Sequence, residues 1–225
     1  MNAFYLIILV ILMALSSLAS VAVSRKFNKY ASVRVSCGKS ADRIAQELLN
    51  ANGSGVTLQR VSGSLTDHYD PSAGTVGLSE PVYGSCSLSA VAVAAHEIGH
   101  VMQYQEGYGL IGLRTKILPV ANIASNIAPY IVIGGLLLSS FNLAMVGVVL
   151  YSAMLLFQFA TLPVEINASN RALDMLENGG YITRDERGAA KEVLKAAAKT
   201  YLYAALSALV SFLRLFSIAS RTRRK

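Results

Sequence analysis

ILPVANIASNIAPYIVIGGLLLSSFNLAMVGVVLYSAMLLFQFATLPV, residues 117–164, is the stretch that decides the fold. Its 48 residues, flanked by Lys116 and Glu165, include no Asp, Glu, Lys, Arg or His. A helix needs ~20 residues to cross a hydrocarbon layer of ~30 Å. The length therefore accommodates two crossings and a tight connection. Ser139-Ser140-Phe141-Asn142, small and polar, supplies the turn. The pattern predicts crossings over Ile117–Leu138 and Leu143–Leu162. The first carries Pro119, Asn122, Asn126 and Pro129 and is expected to be kinked or packed against protein.

Working outward, Ala3–Val23 is a second apolar run, inside an N-terminal stretch, Met1–Ser24, that has no charged side chain. A cleaved signal peptide would place basic residues first and use an apolar core of ~7–15 residues. Here Arg25, Lys26, Lys29 and Arg34 follow the run, so a retained anchor is expected. A last apolar stretch, Thr200–Leu213, is bracketed by Lys199 and Arg214. Its 14 residues rise only ~21 Å as a helix. It crosses if the two cations snorkel or Arg214 faces protein, and otherwise lies in the interface. Lys191, Lys195 and Lys199 form an i, i+4 stripe before it, suited to anionic headgroups.

Composition agrees. Of 225 residues, 53% are apolar and 15% charged, with a mean hydropathy of +0.46. A soluble domain carries roughly 25% charged residues, so an ordinary soluble enzyme and a disordered chain are both excluded. The net charge of +7 suits a membrane surface and gives no reason to expect nucleic acid. Nine Lys/Arg lie in 25–116 and six in 165–199, against none in the 139–142 turn. Both basic stretches are expected on the cytoplasmic side of the plasma membrane, with the N-terminus outside. The basic tail Arg221, Arg223, Arg224 and Lys225 conflicts with that rule if the last segment crosses. The two cysteines, Cys37 and Cys86, make no disulfide framework.

The main non-membrane segment precedes the long desert. Ser40–Gly53 reads as a helix with Ser40 as N-cap, Ile44, Leu48 and Leu49 as its apolar stripe, and Gly53 as its stop. Val56–Ser62 and Thr75–Ser79 read as strands separated by a turn-rich Asp67–Gly74. Thr75–Ser79 is expected to offer an edge for an extended peptide. Seventy residues make a thin core.

Residues 87–104, SLSAVAVAAHEIGHVMQY, are dense in helix formers. On a helix His96 and His100 are i, i+4 and share a face, so both imidazoles reach one ion. Glu97 lies beside that face, placed to take a proton from water. This is the H-E-x-x-H pattern. From this composition it arises by chance in one of ~700 such chains. The alternative, two helix histidines that merely pack or pair with acids, explains Glu97 less well. A catalytic zinc needs a third protein ligand and an open position. His68 is the only other histidine, and Glu165 is the first charge after the desert. Two crossings between His100 and Glu165 return the chain to the same membrane face. Pro163 is expected to open a new helix bearing Glu165.

These residues carry a family resemblance. His96-Glu-Ile-Gly-His-Val-Met-Gln103, Leu65-Thr-Asp-His-Tyr-Asp-Pro71 and Leu162-Pro-Val-Glu-Ile-Asn-Ala-Ser-Asn-Arg-Ala172 resemble the YugP-like neutral zinc metallopeptidases of bacterial membranes. The likeness covers almost the whole chain. It implies a Zn2+-dependent integral-membrane endopeptidase, with His96, His100 and Glu165 as ligands and Glu97 as acid/base. A more distant similarity is to the HtpX and CAAX-prenyl-protease group, whose E-x-x-A-D helix binds zinc through its Glu. Glu165, Ala168 and Ala172 match that group, but Ser169 stands where the Asp would orient a ligand histidine. Ser169, Asn167 and Asp67 are alternatives for that task. His68 and Tyr69 are candidate donors to a tetrahedral oxyanion, against a plain turn held by Asp67 and Asp70. Arg171 is a candidate partner of Glu97, Asp70 or a lipid headgroup.

The expected architecture is mainly α and integral to the membrane, with three or four transmembrane helices and a small α+β zincin-like segment at the cytoplasmic face. It divides at 1–24, 25–116, 117–164, 165–199 and 200–225. The expected partners are the lipid bilayer and a peptide or membrane-protein substrate. From another class comes a non-catalytic zinc-binding scaffold or quality-control adaptor, which would have no use for Glu97. An intramembrane site-2-type protease would bury the motif deeper, and a di-iron desaturase needs more than three histidines.

Overall fold

The computed structural model describes Asn2–Thr222. Arg223, Arg224 and Lys225 of the basic tail lie outside the described residues. Six helices and three strands follow in order: α1 Asn2–Ala31, α2 Ala41–Ala51, β1 Thr57–Val61, β2 His68–Asp70, β3 Thr75–Ser79, α3 Leu88–Gln105, α4 Gly109–Leu137, α5 Phe141–Asn178 and α6 Arg184–Thr222. Four of them, α1, α4, α5 and α6, are long and apolar enough to cross a membrane.

The chain divides into two compact units. One comprises Met1–Leu18, Gly109–Pro163 and Thr200–Lys225. In it α4 and α5 form the hairpin read from the sequence. Ser139 takes the left-handed conformation (φ 51°), and the Ser140 hydroxyl accepts a hydrogen bond from the Leu143 amide at 3.3 Å. Small residues let the helices close: a Cβ on Gly147 would strike the Ala128 carbonyl and the Val132 amide. This is the usual way helices pack where no water drives them together. Val132, Ala144 and Val148 complete a small core with Ala219 of α6. Arg214, within α6, is half-buried, and its Nε has no hydrogen-bond partner among the described residues.

The other unit, Ala19–Tyr108 with Val164–Lys199, holds the larger core. Ile44, Leu48 and Leu49 of α2 meet Val76 and Leu78 of β3, Leu88, Val91, Ile98 and Val101 of α3, Leu173 and Leu176 of α5, and Val193 and Leu194 of α6. Ser40 precedes α2 as read, though its hydroxyl makes no cap hydrogen bond. Glu192 ties α6 to α1 through Lys26 Nζ at 2.6 Å and the Tyr30 hydroxyl at 2.8 Å.

Two sequence expectations are corrected. Pro163 does not begin a helix but lies inside α5, where it costs the helix one hydrogen bond. Thr200–Leu213 lies within α6, which runs unbroken from Arg184 to Thr222, and the division between the two units falls at Thr200. Thr75–Ser79 does form the strand β3, but it is central: β1 pairs with it in parallel and β2 antiparallel. Its backbone is spoken for on both sides, so it has no edge to offer. The second strand partner arises where only a turn was expected, since His68–Asp70 pairs with Thr75–Gly77. Asp70 still makes the turn that follows, accepting from the Ser72 and Ala73 amides at 2.8 and 3.2 Å.

Leu49 is fully buried in the larger core. Leu49→Ala is expected to lower stability by ~2–5 kcal/mol, read as a reduced unfolding midpoint of the detergent-solubilised protein.

Candidate metal centre

Helix α3 starts at Ser87, whose hydroxyl accepts from the Ala90 amide. The helix buries almost its whole surface: Ala90 to Ala92, Ala94, Ala95, Ile98 and Val101 are inaccessible to solvent. On this rigid element His96 and His100 sit one turn apart, ring centroids 4.7 Å apart and planes at 80°. The third group comes from α5. A Cβ on Gly99 would lie 2.5 Å from the Ala168 carbonyl oxygen, so only glycine lets α5 approach α3 this closely. The approach brings Glu165 Oε2 to 3.3 Å from His96 Nε2 and 3.6 Å from His100 Nε2.

The donor set fits a zinc ion. One ligand atom from each of His96, His100 and Glu165 lies within 4.8 Å of the others. Zn–N and Zn–O bonds of 2.0–2.2 Å in tetrahedral array separate neighbouring ligand atoms by about 3.4 Å, the spacing of Glu165 from each ring. Glu165 is 3% exposed, and a buried carboxylate needs a cation or strong donors to offset its desolvation. Three protein donors leave one position of a tetrahedron for water or substrate.

Glu97 is also buried, at 8% exposure, and is not one of the three clustered groups. Burial raises its pKa above the ordinary carboxylate value. His96 and His100 pull it down, while Glu165 and Asp67 push it further up. Burial opposes charge on His100, yet hydrogen bonding to Glu165 and the nearby Glu97 carboxylate outweigh it and lift its pKa.

Among the alternatives for orienting a histidine, the structure separates three positions. Ser169 Oγ lies 3.2 Å from His96 Nδ1. Asn167 reaches His100 only through an intermediary, Gln103, which the sequence reading passed over. Gln103 is fully buried; its Oε1 lies 2.9 Å from His100 Nδ1, and its Nε2 donates to Asn167 Oδ1 at 2.9 Å. Its place three residues after His100, on the same helix face, was the available signal. Asp67 instead binds the Ser79 amide at 2.8 Å and the Ser79 hydroxyl at 2.7 Å, clamping the end of β3.

Arg171 pairs with neither Glu97 nor Asp70. It forms a bidentate ion pair with Glu106 at 2.7 and 2.6 Å and donates from Nε to Asn167 Oδ1 at 2.8 Å. The Glu106 carboxylate, one residue beyond α3, satisfies the guanidinium fork more completely than a single headgroup contact. His68 is an exposed member of β2, its Nδ1 2.8 Å from the Thr66 carbonyl. Tyr69 packs edge-on against Tyr104 of α3, centroids 5.4 Å apart.

Residues 5–220 match the family described as "Putative neutral zinc metallopeptidase". The chain belongs to this family. It is 46% identical over 207 residues to "Putative membrane protease YugP" of Bacillus subtilis (strain 168), covering 92% of each chain. No solved structure matches it.

Glu165→Ala is expected to bring zinc in the purified protein well below one equivalent per chain. Gly99→Ala should do the same with all three ligands present, because α5 must move away; metal analysis of both variants, with helicity checked by circular dichroism, tests this.

Proposed function

We propose that this chain is a membrane-integral zinc endopeptidase, with His96, His100 and Glu165 holding the metal and Glu97 serving as general base. The observation that carries the reading is the division of labour between two buried carboxylates. Glu165 faces both imidazoles at coordinating spacing, whereas Glu97 stands outside the cluster with a raised pKa. A base works best when its pKa lies near the working pH. Zinc in this setting supplies Lewis acidity, drawing the pKa of water toward ~7 and polarising a peptide carbonyl. Glu97 accepts the proton of the attacking water and returns a proton to the departing amine.

The substrate is a peptide in extended conformation. The edge that receives it is assigned to β2 in place of β3, since β2 is the outer antiparallel strand and packs against the helix of the histidines through Tyr69. Of the two aromatic candidates, Tyr69 is the better oxyanion donor. Burial pushes its pKa up, keeping the hydroxyl protonated. His68 gives its Nδ1 to a carbonyl, which leaves a neutral ring only an acceptor nitrogen. The four apolar helices and the basic stretches 25–116 and 165–199 support a multi-pass plasma-membrane protein with its centre on the cytoplasmic side.

Glu97→Gln keeps the shape and removes the base. Its expected outcome is an unchanged zinc content and a fall of about 10²–10⁴-fold in hydrolysis of a quenched fluorescent polypeptide. Undiminished hydrolysis would remove Glu97 from the chemistry.

A further inference from the structure

We infer that Gln103 is a positioning residue that sets the tautomer of His100 and so aims its Nε2 lone pair at the metal, an inference that rests on the metal reading above. The amide of a buried glutamine can be placed either way round, and its neighbours decide which. Gln103 has two neighbours on its nitrogen side. The Val164 carbonyl, 2.8 Å away, can only accept. Asn167 Oδ1, 2.9 Å away, already accepts from Arg171 Nε, and a guanidinium can only donate. Both contacts require the nitrogen of Gln103 to point toward them. Its oxygen therefore faces His100 Nδ1 at 2.9 Å. That oxygen can only accept, so Nδ1 keeps its proton, which leaves Nε2, 3.6 Å from Glu165 Oε2, as the nitrogen free to give its lone pair to a metal.

The direction of every bond in this chain is set at its outer end. Glu106 holds Arg171, Arg171 donates to Asn167, Asn167 accepts from Gln103, and Gln103 accepts from His100. The same residue also bonds the carbonyl of Val164, directly before Glu165, so it sets the ligand carboxylate's backbone as well. His96 has no such instruction. Its Nδ1 meets the Ser169 hydroxyl, which donates or accepts with equal ease.

The chain has only three histidines, so 15N-histidine labelling of the metal-free Glu165→Ala variant in detergent, where the α5 carboxylate no longer competes for Nε2, reads each tautomer directly. His100 is expected as the Nδ1–H form; the Nε2–H form in that variant would overturn the inference. Chelator competition then gives the zinc Kd. Gln103→Met is expected to raise it by about 10–100-fold. Gln103→Glu keeps an acceptor oxygen for Nδ1 and is expected to recover most of the loss. Equal weakening in both variants would reduce Gln103 to a strut between α3 and α5 and overturn its role toward His100. A wild type that takes up no zinc would overturn the peptidase reading, while the tautomer result would stand on its own.

Discussion

The structure depends on one backbone contact, the approach of α5 to α3 at Gly99 and Ala168. A single methyl at position 99 would meet a carbonyl oxygen at 2.5 Å, and backbone cannot give way as a flexible side chain can. Two imidazoles one turn apart on a helix are easily arranged. The third, from a helix more than sixty residues further along the chain, reaches them only because neither helix has bulk at the crossing. Ala168 and Ala172, both fully buried, extend the same smooth face on α5.

The site also gives two buried carboxylates different surroundings. Glu165 looks at two rings, and Glu97 bears the cost of burial with less compensation. Environments that push like groups apart are the usual means by which a site separates its charge-bearing members from its proton carriers. Farther out, Arg171 and Glu106 spend their charges on each other, so the polar chain leading inward through Asn167 and Gln103 is composed of neutral groups.

Much of this was legible in the sequence. The hairpin, α2 and the motif helix follow from local periodicity and from the absence of charge, and the clustering of His96, His100 and Glu165 follows from one motif plus the first carboxylate after the desert. What escaped reading was non-local. The centrality of β3 depends on a three-residue strand, β2, hidden in a stretch rich in turn formers. The passage of α5 through Pro163 runs against a strong local breaker. Gln103 is a common residue type on a helix, and its importance is visible only when Val164 and Asn167 are brought beside it. Arg171 was read against the nearest conspicuous acids, whereas its partner stands at the end of α3.

The continuity of α5 has a consequence for how this chain can diverge. Glu165 and Leu176 lie on one unbroken helix within the same unit, the former against the imidazoles, the latter in the larger core. Each residue on a helix advances the azimuth by about 100°. Adding or deleting one residue between these two points would swing one of them off its seat. The exposed side chains of Ile166 and Asn170 between them are free to change, but the number of residues is not free. Relatives should thus vary at these two positions while keeping the segment's length to the residue.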